Sequence, residues 1–424
     1  MTEEIKQRIE MINRGEVPQG YKKTKVGIVP NEWEETHLKS KFERVTRKNT
    51  EGNTNVLTIS AQYGLINQEE FFNKSVASDD KSNYYLLLKG EFAYNKSYSN
   101  GYPYGAIKRL DKYEKGVVSP LYICLAATNT NKCQEYCMQY FEAGLMNKEI
   151  KAFAQEGARN HGLLNIAVDD YFNSYILNPP LPEQEKIAKI LTTCDKVIEL
   201  KEKLIAEKQQ HKKYLMQKLL TGKKCLKGFG GEWKKVKLGD VLSIRDEKQV
   251  PTNEAPLMAF VASIGISPKG DRYDRSFLVK DIEKKYKRTE INDFIYSSNN
   301  LDVGSIGLNK FGTAVISVVY EIFTVKPDLA VPTILSEIIQ TPYNMQKVLA
   351  FRQGALYGQY KIHAKNFLSV KIRIPNFKEQ TAIANILITS DKEIELLKKD
   401  LCQWKQKKKA LMQLLLTGKV RVNI

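Results

Sequence analysis

The stretch LPEQEKIAKILTTCDKVIELKEKLIAEKQQHKKYLMQKLLTGK, residues 181–223, returns as KEQTAIANILITSDKEIELLKKDLCQWKQKKKALMQLLLTGK at residues 378–419. A shift of 196 positions aligns the copies without a gap from Glu183/Glu379 to Lys223/Lys419. Roughly 24 of about 41 positions are then identical. Agreement that dense is not chance, so the chain is built on an internal repeat.

Each copy predicts one long helix. In the first, Ile187, Leu191, Cys194, Ile198, Ile205, Leu215 and Leu219 recur at steps of three and four. In the second, Ile383, Leu387, Ile394, Leu397, Leu401, Trp404, Leu411 and Leu415 hold the same phase. That is an a/d seam of the coiled-coil type. Pro182 suits the first turn, where its missing N–H is not needed, and Gly222 and Gly418 suit left-handed C-terminal caps. At 1.5 Å per residue each helix would be about 55 Å long. Two seams of equal length and phase are expected to pair with each other. Lys201, Lys208, Lys212 and Lys408 interrupt them, and a partner protein could cover these lysines.

A chain of 424 residues has room for two to four domains. Its formal net charge of +18 favours a polyanionic partner. About half of the excess lies in the repeated helices, so the field is diffuse and not a basic tail. No apolar run approaches the length of a membrane span, and the start MTEEIKQRIEMINRGE is too charged for a signal peptide. The six cysteines include no CxxC pair. Cys133 and Cys137 could share a helix turn, but no further ligand cluster completes a zinc site. Reduced cysteines in a cytoplasm are the simplest expectation.

Residues 1–26 predict a short polar helix, ended by Gly15 and Pro18, and then a Lys-rich linker. VPNEWEETHLKSKFERV (29–45) and GFGGEWKKVKLGDVLSI (228–244) carry the repeat beyond the helices, matching Trp33 and Leu38 to Trp233 and Leu238. Further on, Phe92 and Tyr94 answer Phe294 and Tyr296, Gly105 and Ile107 answer Gly304 and Ile306, and Ser119 and Tyr122 answer Ser317 and Tyr320. Short β-rich runs alternate with Gly/Asn turns, and a helix is expected around 133–155 and 333–352. Each globular segment ends in a Gly-Ala element, QEGARNHGLLNI (155–166) or RQGALYGQYKI (352–362), and then a proline-marked helix start. The expected divisions are 1–26, 27–180, 181–223, 224–377 and 378–424.

The chemistry motifs are decoys. Asn178-Pro179-Pro180-Leu181 resembles the loop of amino-methyltransferases, but its fourth residue is not aromatic, no glycine-rich turn for S-adenosylmethionine is evident, and a turn opening a helix explains it better. Thr221-Gly222-Lys223 ends a helix where a phosphate loop would open one. Asp169-Asp170 and Asp246-Glu247-Lys248 do not recur in the other half, and the four histidines are scattered. Nothing here composes an active site, and no cofactor or metal is expected.

What remains is a pattern for reading nucleic acid. The first segment offers Lys96, Tyr98, Lys108 and Arg109, and its Gly-Ala element adds Arg159, Asn160 and His161. The second offers Arg272, Arg275, Asn309 and Lys310, with Arg352, Gln353, Tyr357 and Lys361 from its Gly-Ala element. Arg and Lys suit guanine edges, Asn and Gln suit adenine, and any of them can bind phosphate.

At these residues the chain resembles the specificity subunits of type I restriction-modification systems. The likeness is carried by EQEKIAKIL, LLTGK, their repetition, GEFAYNKS with GAIKRL and GVVSPLY, and the GAR…L element. The second segment departs from it, with SVVY for SPLY and no GAIKRL. The resemblance implies two α+β target-recognition domains alternating with two helices that pack as an antiparallel coiled coil, with pseudo-twofold symmetry. It implies that each domain reads one half of a bipartite double-stranded DNA site. The subunit would be non-catalytic, joining two methyltransferase subunits and, through the complex, motor-nuclease subunits. A single-chain DNA methyltransferase or nuclease, and a coiled-coil assembly protein that binds no DNA, are the alternatives.

Overall fold

A computed structural model describes residues 2–60, 64–72, 80–98, 101–129, 132–156, 164–261, 265–268, 284–299, 301, 306–356 and 359–423. The chain divides into two compact units, residues 1–202 with 399–424, and residues 203–398. Both mix helix and strand, and both are built to one plan.

In the first unit a four-stranded antiparallel sheet runs in the order Phe42–Val45, Ile123–Ala127, Phe92–Asn95, Ala106–Arg109. In the second the order is Leu242–Ile244, Tyr320–Val325, Phe294–Ser297, Ile306–Leu308. The matched aromatics lie on the same central strand in each: Phe92 and Tyr94, Phe294 and Tyr296, all at most 1% exposed. Tyr94 stacks on Tyr171 at 4.8 Å, and Tyr296 packs on Phe367 at 4.6 Å. The strand also begins alike, because a carboxylate precedes each phenylalanine. Arg47 holds Glu91 through Nη1 and Nη2, and Arg245 holds Asp293 through Nε and Nη2. Gly105 is required where it stands. Its φ is +81°, and a Cβ there would lie 2.2 Å from the Asn95 carbonyl.

An edge ribbon completes each unit. Glu34–His37 pairs antiparallel with Tyr175–Asn178, and Lys234–Lys237 pairs with Lys371–Ile374 in the same register. The predicted repeat of Trp33 and Trp233 therefore marks equivalent strands.

The two long helices are Leu181–Leu219 and Phe377–Leu415, each 39 residues. They start at the proline-marked turns. Gln184 Nε2 donates to the Asn178 side chain and the Pro179 carbonyl, and Gln380 Nε2 donates to the Pro375 carbonyl. They stop before Gly222 and Gly418, whose φ values are +69° and +71°. Asn178-Pro179-Pro180-Leu181 is thus a helix-opening turn, and both TGK runs close helices. Much of the seam faces globular cores. Ile187, Leu191, Met412, Leu415 and Leu416 belong to the core of the first unit, and Leu219, Leu220, Ile383 and Leu387 to that of the second.

The four lysines that break the seam all meet carboxylates. Within the first unit Lys408 pairs with Asp195 and Lys201 with Asp400, each at 2.5 Å. Within the second, Lys208 pairs with Glu393 and Lys212 with Asp391, each at 2.6 Å. Numbers rise along one helix as they fall along the other. These lysines are therefore not a surface left for a partner to neutralise. The seam tolerates them because the facing position carries Asp or Glu.

Two elements differ from expectation. The Lys-rich linker after the helix Glu3–Asn13 is a hairpin, Tyr21–Lys23 paired with Ile28–Pro30. The single helix expected in each globular segment is two. Gln134–Glu142 and Asn147–Phe153 are separated at Gly144, whose φ is +69°, and Pro332–Ile339 and Pro342–Leu349 are separated because Pro342 opens a new first turn. Cys133 and Cys137 are buried in the core, where burial raises the Cys133 thiol above its ordinary range, so that sulfur is packed and protonated.

Candidate nucleic-acid interface

The Gly-Ala elements are hairpins, and each is tied to the end of the same central strand. In the first unit Gln155–Glu156 pairs with Leu164–Asn165, and the Leu164 N–H donates to the Lys96 carbonyl just beyond strand Phe92–Asn95. In the second, Gln353–Leu356 pairs with Gln359–Lys361. Ile362 N–H donates to the Ser298 carbonyl, and Tyr296 Oη donates to the Ile362 carbonyl. The repeat thus brings two stretches distant in sequence to one place in each unit.

Lys96 and Tyr98 lie at that place in the first unit. Tyr98 is 62% exposed, so its ring is open to a stacking partner. Arg159, Asn160 and His161 lie outside the described residues. Lys108 and Arg109, on the neighbouring strand, are committed elsewhere. Lys108 Nζ bonds the Tyr102 hydroxyl at 3.0 Å and forms an ion pair with Glu142, and its side chain is 11% exposed. Arg109 bonds Asp111 at 2.7 Å and Glu135 at 2.9 Å. Burial and the Glu142 carboxylate together push the Tyr102 phenol above its ordinary range. These groups clamp strand Ala106–Arg109 to helix Gln134–Glu142.

In the second unit Gln353 and Lys361 are cross-strand neighbours on the hairpin, and both are exposed. Arg352 lies 5.5 Å from the ring centre of Tyr360, an exposed aromatic that sequence reading overlooked. Its signal was an exposed Tyr beside Lys361, answering the exposed Tyr98 close to Lys96. Lys310 is exposed on the loop after strand Ile306–Leu308. Asn309, beside it, is fully buried. Its amide donates to Thr289 and the Gly312 carbonyl and accepts from the Phe311 and Gly312 N–H groups. It folds its own turn and presents no edge to a base. Arg272, Arg275 and Tyr357 lie outside the described residues.

Among the described residues the second hairpin end offers cation, amide and aromatic ring together, and the first offers the cation of Lys96 and the ring of Tyr98. That set can neutralise phosphate, read base edges and stack. Among the described residues no group of three or more His, Cys, Asp or Glu is placed to hold a metal ion, and no helix is long and apolar enough to cross a membrane.

The chain is similar to known proteins of one kind. Residues 230–403 match the family model described as type I restriction modification DNA specificity domain. A protein of Methanocaldococcus jannaschii assigned as the MjaX type I restriction enzyme specificity subunit is 26% identical over 428 aligned residues, covering 95% of this chain and 97% of that one. The MjaVIII type I restriction enzyme specificity subunit of the same organism is 27% identical, over 73% of this chain and 75% of its own. Among solved structures, the HsdS subunit from Thermoanaerobacter tengcongensis superposes with a TM-score of 0.51 at 16% identity, covering 92% of this chain and 98% of that chain. A chain from a type I R-M system superposes with a TM-score of 0.53 at 15% identity, covering 92% and 99%. At such identities the structural likeness is one of fold.

Proposed function

We propose that the chain is a specificity subunit of a type I restriction-modification system, a reading supported by its likeness to such subunits, and that each of its two units reads one half of a bipartite double-stranded DNA site. The observation that carries this reading is the duplicated plan: one sheet order, one tethered hairpin and one edge ribbon in each unit. Contacts with DNA come through Lys96, Tyr98, Arg159, Asn160 and His161 in the first unit, and through Arg352, Gln353, Lys361 and Lys310 in the second. Arg272, Arg275 and Tyr357 complete the second set. Lys108 and Arg109 act by holding the strand beneath.

The long helices pack as an antiparallel coiled coil and set the separation of the half-sites. Supporting this are the ion pairs, whose numbering rises on one helix as it falls on the other within each unit. A span of about 58 Å for 39 residues places the half-sites roughly one to one and a half DNA turns apart, a turn being about 34–36 Å. The subunit is non-catalytic and acts in the cytoplasm. Two methyltransferase subunits dock on it and supply the chemistry, and motor-nuclease subunits join through the complex.

The test is methylation of a randomised duplex library by the chain with its cognate methyltransferase subunit. The expected product is one bipartite motif with a fixed gap. Modification without sequence preference, or at a single continuous motif, overturns the reading, as does methylation by the isolated chain with S-adenosylmethionine.

A further inference from the structure

The edge ribbon is covered in the first unit and open in the second. In the first, the N-terminal hairpin sits on it. Lys25 Nζ donates to the Tyr175 hydroxyl at 2.6 Å and lies 4.2 Å from the centre of its ring, while the Lys25 N–H donates to Glu35 at 2.8 Å. Lys148, from helix Asn147–Phe153, donates to the carbonyls of Lys25 and Val26, and Val26 packs on the core. Tyr21 Oη closes the arrangement by donating to the Gly418 carbonyl at the end of a long helix.

The same four walls stand in the second unit: ribbon, short helix, long-helix end and tryptophan. Residues 224–231, which precede Trp233, form no strand there. A groove of about 1340 Å3 opens instead. Its lining includes Trp233, Pro342, Tyr343, Phe351 and Ile372. Tyr343 is 69% exposed and Phe351 is 37% exposed.

The charge is inverted as well. Glu34 and Glu35 of the first ribbon correspond to Lys234 and Lys235 of the second, and Tyr175 and Leu177 correspond to Lys371 and Arg373 by register. Where the first ribbon receives a lysine of the chain's own hairpin, the second presents cations.

We propose that this groove docks a segment of the methyltransferase partner that brings at least one large apolar side chain and carboxylates to face Lys235, Lys371 and Arg373. The segment takes the place that the chain's own hairpin fills in the first unit. The apolar floor decides for protein over duplex DNA. A phosphate backbone would gain from the cations but nothing from the exposed Tyr343 and Phe351, whereas a peptide buries both. The proposal rests on the reading of the chain as a specificity subunit.

Sedimentation of the full chain with its cognate methyltransferase subunit tests it, using K235E/R373E and, separately, Y343A/F351A. All four side chains line the groove, and thermal unfolding shows that each variant is folded. Each pair of substitutions is expected to weaken assembly by at least about tenfold. The K235E/R373E loss shrinks as salt rises and the Y343A/F351A loss does not. DNA affinity of the isolated chain stays within about twofold of the unmodified chain in both variants. Assembly unchanged in both variants overturns the proposal. So does a fall in DNA affinity with K235E/R373E while assembly stays intact, which would mark a phosphate contact. If the unmodified chain does not assemble with the methyltransferase at all, the specificity-subunit reading itself falls and takes this proposal with it.

Discussion

Arg421 binds both carboxylate oxygens of Glu183, Nε to Oε1 at 2.7 Å and Nη2 to Oε2 at 2.9 Å. Trp33 Nε1 adds a bond at 2.8 Å, and the Glu183 side chain is fully buried. The pair joins the start of one long helix to the tail that follows the other. In the second unit the corresponding carboxylate, Glu379, is 2% exposed, but the position corresponding to Arg421 is Cys225. Among the described residues Glu379 has no ion-pair partner, and no cation stands against it as Arg421 does against Glu183.

Removing the guanidinium therefore leaves a buried charge uncompensated. Arg421→Ala is expected to destabilise the first unit by about 3 kcal/mol. Arg421→Lys, which keeps the charge but loses the fork, should recover part of that. Denaturant unfolding followed by Trp33 fluorescence measures both. Equal stability of all three chains would show that Glu183 is satisfied without Arg421.

Glu379 predicts the opposite sign. Burial raises its carboxyl above the ordinary carboxylate range, with the Trp233 indole working against the rise. A carboxyl whose folded pKa is raised binds its proton more tightly in the folded state. Its contribution to stability is then present below the unfolded value, about 4.3, and is lost as pH rises through the folded one. Glu379→Gln removes that loss. The variant should match the unmodified chain near pH 4 and exceed it at pH 7–8. Unfolding midpoints across that range decide it, and a variant less stable at pH 8 would mean that the carboxylate has a cation partner in solution.

These contrasts explain what the sequence could and could not reveal. The long helices were legible because seam, proline start and glycine stop all recur at one offset. The helix-opening turn at Asn178 was legible because its twin at Pro375 carries no methyltransferase signature. The break at Gly144 was not, since one glycine inside an apolar pattern is weak punctuation. Nor was the Tyr21–Pro30 hairpin, whose strands are three residues each and rich in lysine. Ion pairs were the least legible. Arg421 and Glu183 are 238 residues apart, and Lys108 finds Glu142 only once a sheet and a helix have packed. Lys108 looked like a base reader for that reason, whereas Asn309 is spent on its own turn through Phe311 and Gly312.

Lys108 and Glu142 should behave as one unit. If the pair serves DNA binding by clamping strand Ala106–Arg109 to its helix, Lys108→Ala and Glu142→Gln will weaken recognition of the first half-site alike, and the double variant will lose little more. Tyr98→Ala should weaken the same half-site with no change in stability. Competition binding to duplexes altered in one half-site at a time reads all four. A loss with Lys108→Ala that Glu142→Gln does not share would make Lys108 a direct DNA contact.

A fragment ending near residue 227 keeps the first globular segment and one long helix but loses residues 399–424, which belong to the same compact unit. Its core then lacks Met412, Leu415 and Leu416. The fragment carries replacements, because Met216, Leu219 and Leu220 are the identical residues of the repeat. Two fragments could exchange these helix ends through a twofold contact in which one patch serves both sides. The seam supports exchange only in part. The facing helix would now supply Lys212 for Lys408 opposite Asp195, which keeps that pair, but Leu204 for Asp400 opposite Lys201, which loses one. Arg421 would be replaced by Cys225, so Glu183 would again stand buried without a cation. The dimer should therefore form, but more weakly than the intact chain folds, and Cys225→Arg should tighten it by about tenfold or more, the equivalent of roughly 1.4 kcal/mol for each tenfold step. With the methyltransferase subunit it should modify a palindrome made from the first half-site, with a gap close to that of the intact chain. Sedimentation equilibrium of both fragments, then methylation of a randomised duplex library, tests the two steps in turn. A fragment that stays monomeric with Arg at position 225 would show that the helix ends are not interchangeable, and a dimer that modifies a lone asymmetric half-site would show that the two halves do not read DNA as equivalents.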